Sequence, residues 1–198
     1  MYKQPGYQHR IIGEIIVKNN GYKVALGGVV ASLCLMLMLC TAVFPVLNMA
    51  VPLYMGAMIV VVAVEIDDKW AFVTYSAVSL LSFFITPDKE AVLMFVMLFG
   101  YYPILRRVIE RNIRLFPARL VVKTAVFNAA AVAVYYLIIA ISGMSIYDFL
   151  DDFSFLGKNI MLKILIIMNV IFIMYDRTLD LLEASYVNWF RKTYLGKK

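Results

Sequence analysis

Residues 24–44 read VALGGVVASLCLMLMLCTAVF, an apolar run without a single charged residue. A helix needs roughly 20 such residues to cross the hydrocarbon core of a bilayer. Five more apolar runs follow, at about residues 47–64, 70–86, 91–105, 120–142 and from 160 onward. The chain is 63% hydrophobic and 16% charged, far more apolar than a soluble domain. The sequence therefore predicts an all-α, polytopic membrane protein with six transmembrane helices.

Basic residues lie almost entirely on one side of these six runs. Sixteen of the 19 lysines and arginines flank the runs on that side, and Lys89, Lys158 and Lys163 lie on the other. Short basic loops resist translocation and so stay in the cytoplasm. This predicts that both chain ends are cytoplasmic. Together with the absence of a targeting signal, it favours a multi-pass protein of a bacterial plasma membrane.

The chain is predicted to form one transmembrane domain over residues 1–198. Residues 1–23 form a cytoplasmic segment in this prediction, and residues 177–198 extend the last helix into the cytoplasm. Residues 8–19 carry an apolar stripe with basic flanks, which predicts an interfacial helix that ends at Asn19, Asn20 and Gly21. The connection Arg106–Arg119 holds five arginines and is predicted to lie along the inner membrane surface.

Several function classes are disfavoured by what the sequence lacks. Six spans leave no room for a soluble catalytic domain, and no P-loop, dinucleotide turn or zinc-protease motif is present. We therefore expect no enzyme activity, no cofactor and no metal. The net charge of +6 is explained by residues that flank the membrane, so nucleic acid is not an expected partner but membrane lipids are. Cys34 and Cys40 are six residues apart on one helix, point to different faces and are expected to be packing residues.

Polar and aromatic side chains within the spans are candidates for substrate binding. Asn128 and Asn169 lie well inside their runs, and Lys163 lies about one turn into the last one. Tyr54 and Tyr135 could stack on a flat ligand. The alternatives are interhelical hydrogen bonding for the asparagines, snorkelling for the lysine and membrane-interface positions for the tyrosines.

The first span carries small residues at helical spacing. Ala25, Gly27, Gly28 and Ala31 cluster in its cytoplasmic half, and small residues four apart let another helix approach closely. This pattern fits docking of a separate subunit or packing within the bundle.

An acidic array on the last helix has two interpretations. Asp176, Asp180 and Glu183 share one helix face, as in a solvated or docking surface. They could also hold a divalent cation at the headgroup level, as in a lipid-modifying enzyme. Alanine at Asp176 and Asp180 is expected to separate a headgroup enzyme from a transport subunit.

Six spans, an irregular second span, an outer loop before the last span and the segment KVALGGVVASL resemble the substrate-binding S component of energy-coupling factor transporters. The resemblance implies a subunit that binds a vitamin-like small molecule for uptake, with a transmembrane scaffold subunit and separate ATPase subunits as partners. It points to Ala25, Gly28 and Ala31 for docking, and to Asn128, Asn169 and Lys163 for the pocket. The alternative is an enzyme or interaction protein at the inner leaflet, acting on phospholipid headgroups or on a partner membrane protein.

Overall fold

The computed structural model describes residues 5–44, 47–142 and 160–191. Every secondary-structure element in these ranges is a helix. The elements are α1 (Pro5–Thr41), α2 (Ala50–Glu65), α3 (Asp68–Ile85), α4 (Lys89–Met94), α5 (Tyr102–Asn112), α6 (Phe116–Ser142) and α7 (Ile160–Ser185). A π-helical turn, Phe95–Phe99, follows α4, and a second one, Tyr186–Arg191, follows α7.

Three helical segments are long and apolar enough to cross a membrane: Asn20–Thr41, Lys89–Asn112 and Phe116–Ile141. The prediction of an all-helical protein is thus confirmed for the described residues, and three of its helical segments have the length and composition of membrane spans. Helix α2 is apolar but shorter. Six crossings with both ends inside remain a prediction. The outer loop, Gly143–Asn159, lies outside the described residues.

Helix α2 is the centre of the bundle. Its Met55 and Ile59 join one apolar cluster with Cys34 and Met38 of α1 and Val78 of α3. On another side, its Val60 joins a second cluster, which contains Phe99, Phe127, Phe172 and Leu179. A helix that packs on several sides must be apolar all round, which explains why α2 carries no charge before Glu65.

Gly56 lets α2 approach α7 and the break between α4 and α5. A Cβ atom at Gly56 would overlap the Tyr175 hydroxyl and would lie 2.5 Å from the Phe99 carbonyl oxygen. Pro52 lies in the first turn of α2, where a backbone N–H would have no partner within the helix, so its missing N–H costs no intrahelical hydrogen bond.

The turns are fixed by side-chain caps that the sequence supplies. The Asp67 carboxylate accepts the Trp70 N–H at 2.8 Å, and the Asp88 carboxylate accepts the Ala91 N–H at 3.2 Å. The Lys89 ammonium donates to the Phe83 and Thr86 carbonyls at the end of α3. These caps define the short connections on both sides of α3.

Two predicted boundaries are wrong. Residues 5–41 form one continuous helix, so the predicted break at Asn19–Gly21 between an interfacial helix and the first span does not occur. The connection predicted to lie on the membrane surface is also much shorter, because α5 runs to Asn112 and α6 begins at Phe116. Only residues 113–115 lie outside the two helices.

Candidate functional site

Charged side chains meet inside the bundle where α5, α6 and α7 converge. Each helix contributes from one face, because residues three or four apart on a helix are neighbours. The group, here called the ionic cluster, consists of Tyr102, Arg106 and Glu110 on α5, Lys123 on α6, and Asp176, Asp180 and Glu183 on α7.

Lys123 lies at the centre of the ionic cluster and is only 5% exposed. Its ammonium donates to Glu110 Oε1 at 2.8 Å and to both carboxylate oxygens of Asp176 at 3.0 Å. The Tyr102 hydroxyl donates to Asp176 Oδ1 at 2.5 Å. A buried ammonium is tolerated only when it is paired and hydrogen-bonded, and here carboxylate oxygens surround it.

Arg106 connects α5 to two further turns of α7 and is 3% exposed. Its Nε donates to Glu110 Oε1 at 3.0 Å and lies 3.7 Å from Asp176 Oδ1. Its Nη2 donates to Asp180 Oδ1 and to Glu183 Oε2, the latter at 3.5 Å. The guanidinium therefore ties three acidic residues of α7 to α5.

Arg107 extends these contacts to α3. Its Nη1 lies 3.2 Å from Asp68 Oδ1, and its Nε lies 3.9 Å from Glu183 Oε1. The ionic cluster and this adjoining pair thus join four helices at one end of the bundle. In the order of the chain, the ion-paired residues lie up to 77 positions apart.

The three predicted acidic residues are each bonded to a cation of the protein itself. Asp176 is held by Lys123, and Asp180 and Glu183 are held by Arg106. Within the described ranges, no group of three or more His, Cys, Asp or Glu side chains is arranged to hold a metal ion. This geometry favours a bracing role for the array over a divalent-cation site.

The two asparagines predicted for the pocket bond to each other. Asn128 Nδ2 donates to Asn169 Oδ1 at 3.1 Å, and Asn169 Nδ2 donates to Asn128 Oδ1 at 3.0 Å. Each side-chain amide also donates to its own helix, at the Thr124 or the Leu165 carbonyl. All four N–H donors are therefore in use, and the pair links α6 to α7, as in the interhelical alternative.

The other predicted pocket residues lie apart along the helices. Tyr54 is 64% exposed on α2 and lines a shallow apolar groove with Leu37 and Met58. Tyr135 is half-buried on α6 and packs edge-on against Tyr136. Lys163 is exposed on the first turn of α7. Three outer-loop carboxylates that the sequence offers as candidate partners of Lys163, Asp148, Asp151 and Asp152, lie outside the described residues.

The small residues of α1 divide between two faces. Gly27 and Ala31 turn inward: a Cβ at Gly27 would lie 3.0 Å from Thr74 Oγ1 of α3, and Ala31 packs on the first apolar cluster. Ala25 and Gly28 turn outward, and a Cβ at Gly28 would have no atom within 4 Å. The inward pair explains the close packing of α1 on α3, and the outward pair is available to a partner.

Sequence reasoning missed the cations of the ionic cluster. From the sequence alone, Arg106 and Lys123 are interpreted only as residues that flank the membrane. Two local signals were present: Arg106 and Glu110 are four residues apart, and Lys123 lies inside an apolar run. Comparison of the chain with protein-family models, with curated proteins and with solved structures finds no match.

Proposed function

We propose that the protein is an integral membrane subunit that binds a small, vitamin-like molecule for uptake and draws energy from separate ATPase subunits. In this proposal the chain crosses a bacterial plasma membrane six times, with both ends inside. A transmembrane scaffold subunit binds the outward face of α1 and connects the protein to the ATPases.

The observation that carries the proposal is the outward face of α1. Ala25, Gly28 and Ser32 are exposed there, on the side of the helix opposite to the buried Val30 and Cys34. In lipid, small residues at this spacing allow two backbones to approach and gain van der Waals contact. At Gly28 an added Cβ would meet no atom of the described bundle within 4 Å, so packing within that bundle does not require a small residue there.

The proposed energy source is ATP hydrolysis by separate subunits. The absence of a P-loop supports this part of the proposal, because the chain has no ATP-hydrolysing motif of its own. The ionic cluster supports the proposal in a second way. Because it clamps α5, α6 and α7 together, the helices that the ligand would contact keep a fixed arrangement while the whole subunit moves against its partner.

Gentle extraction followed by native mass spectrometry tests the partners. Gly28→Leu adds bulk to the outward face at a position where an added Cβ has no atom within 4 Å, so it is expected to fold normally and to lose the copurifying subunits. Val73→Leu is the matched control, because Val73 is 56% exposed on α3, away from this face. Retention of the same partners by Gly28→Leu and Val73→Leu would contradict the proposal.

Cysteine labelling tests the topology separately. In a background without Cys34 and Cys40, Lys69→Cys is expected to react with an impermeant maleimide only after the cells are opened. Glu90→Cys is expected to react in intact cells, because Glu90 is exposed beyond the end of α3 opposite to Lys69. The reverse pattern would exclude the proposed orientation.

A further inference from the structure

The connection between α5 and α6 forms a rigid, exposed corner. Arg119 folds back over it, with Nε donating to the Ile113 carbonyl at 2.5 Å and Nη2 donating to the Arg114 carbonyl at 3.3 Å. These bonds satisfy carbonyl groups at the end of α5 and fix the turn. Arg119 is therefore a structural residue of this corner, not part of its binding surface.

Three other arginines surround the corner and point outward. Arg111 is on the last turn of α5, Arg114 is in the connection, and Arg177 reaches the corner from α7. The Arg177 guanidinium carbon lies 5.8 Å from the centre of the Phe116 ring. Within the described ranges, none of the three has a carboxylate within ion-pair distance, in contrast to Arg106 and Arg107.

Two large apolar side chains lie beside these arginines. Leu115 is 69% exposed and Phe116 is 61% exposed. Such residues next to exposed guanidiniums match the boundary of a bilayer, where apolar groups enter the acyl region and cationic groups stay at headgroup level.

We propose that this corner, defined by Arg111, Arg114, Leu115, Phe116 and Arg177, binds the headgroup of an anionic phospholipid. Guanidinium groups bind phosphate oxygens through two parallel hydrogen bonds. Leu115 and Phe116 contact the first part of the acyl chains. This inference is independent of the proposed transport function and of the sidedness of the membrane.

The apolar pair favours a lipid over a soluble anion. A free phosphate would need only the guanidiniums and would leave Leu115 and Phe116 in water. A lipid uses both halves of the surface, so the charge and the exposed apolar area of the corner are explained by one ligand.

The test is the retention of phosphatidylglycerol over phosphatidylcholine by the purified full chain, measured by native mass spectrometry. Each basic residue near an anionic membrane contributes about fivefold in affinity, so the triple variant R111Q/R114Q/R177Q is expected to bind phosphatidylglycerol about 100-fold more weakly. Lys69→Gln, at an exposed position in the first turn of α3, is the control and is expected to change retention no more than about fivefold.

A second variant separates loss of binding from loss of folding. L115S/F116S keeps all three charges and is expected to lower retention with an unchanged unfolding midpoint. Inorganic phosphate is expected not to displace the lipid. Displacement by phosphate, or a triple variant that retains phosphatidylglycerol as well as the Lys69→Gln control does, would overturn the proposal.

Discussion

Replacing Lys123 by methionine tests the ionic cluster directly. Methionine keeps much of the length and apolar volume of lysine but removes the ammonium. The substitution deletes the hydrogen bonds to Glu110 at 2.8 Å and to the two Asp176 oxygens at 3.0 Å. Asp176 is then left in the bundle with 12% of its side chain exposed and without its main cation.

The expected loss of stability depends on which hydrogen bonds and ion pairs Glu110 and Asp176 retain without the Lys123 ammonium. Removing one partner of a buried ion pair typically costs about 3–5 kcal/mol. Glu110 keeps its bond to Arg106 at 3.0 Å, and Asp176 keeps the Tyr102 hydroxyl and the Arg106 Nε at 3.7 Å. We therefore expect Lys123→Met to lower the free energy of unfolding by about 3 kcal/mol, the lower end of that range.

Reversible unfolding in mixed micelles gives this free energy, and a double-mutant cycle isolates the pair. Asp176→Asn added to Lys123→Met removes the unpaired charge but keeps an acceptor for Tyr102. The double variant is expected to recover stability, with a coupling energy of about 2 kcal/mol. Lys69→Met, at an exposed position, is expected to change stability by no more than about 0.5 kcal/mol. Additive effects of the two substitutions, or a loss below about 1 kcal/mol for Lys123→Met, would refute the pairing.

Two further predictions concern packing. Gly56→Ala is expected to destabilise the bundle by about 1–3 kcal/mol, because the added methyl group overlaps the Tyr175 hydroxyl. Gly28→Ala, in open space, is expected to leave the unfolding midpoint unchanged or to raise it. Equal effects of Gly56→Ala and Gly28→Ala would argue against the close approach of α2 to Tyr175. Asn128→Leu is expected to cost about 1 kcal/mol, because the Asn169 amide loses its partner. Asn128→Leu combined with Asn169→Leu is expected to regain part of that loss in the same unfolding measurement, and a larger loss would contradict the reciprocal bond.

The helical, membrane-type character of the chain was predictable because a bilayer restricts which secondary structures a segment can form. A segment in lipid must satisfy its own backbone hydrogen bonds, so a long apolar run such as residues 24–44 forms a helix. The capping aspartates Asp67 and Asp88 also mark the turns before α3 and α4 in the sequence. These features depend on neighbours within a few residues, which a single sequence displays directly.

Helix boundaries that depend on distant contacts were not predictable in this way. Asn19, Asn20 and Gly21 have low helix propensity, but the cost of about 1 kcal/mol or less per residue does not stop α1. Arg106 and Arg107 looked like the start of a surface loop, yet they continue α5 because their partners lie on α7 and α3. Charge counting assigns an arginine to a side of the membrane but does not reveal its ion-pair partner.

The ion-pair partners, which the sequence does not reveal, change how the acidic array of Asp176, Asp180 and Glu183 must be tested. Alanine at Asp176 removes the acceptor of Tyr102 and leaves Lys123 with Glu110 alone, so any loss of function would be inseparable from loss of folding. Asp180 is different, because its side chain is 41% exposed and its partner Arg106 keeps Glu110. Asp180→Ala is therefore the variant that distinguishes a chemical role from a structural one. A fully folded Asp180→Ala protein without activity would support chemistry at the array, whereas full activity would leave bracing as its role.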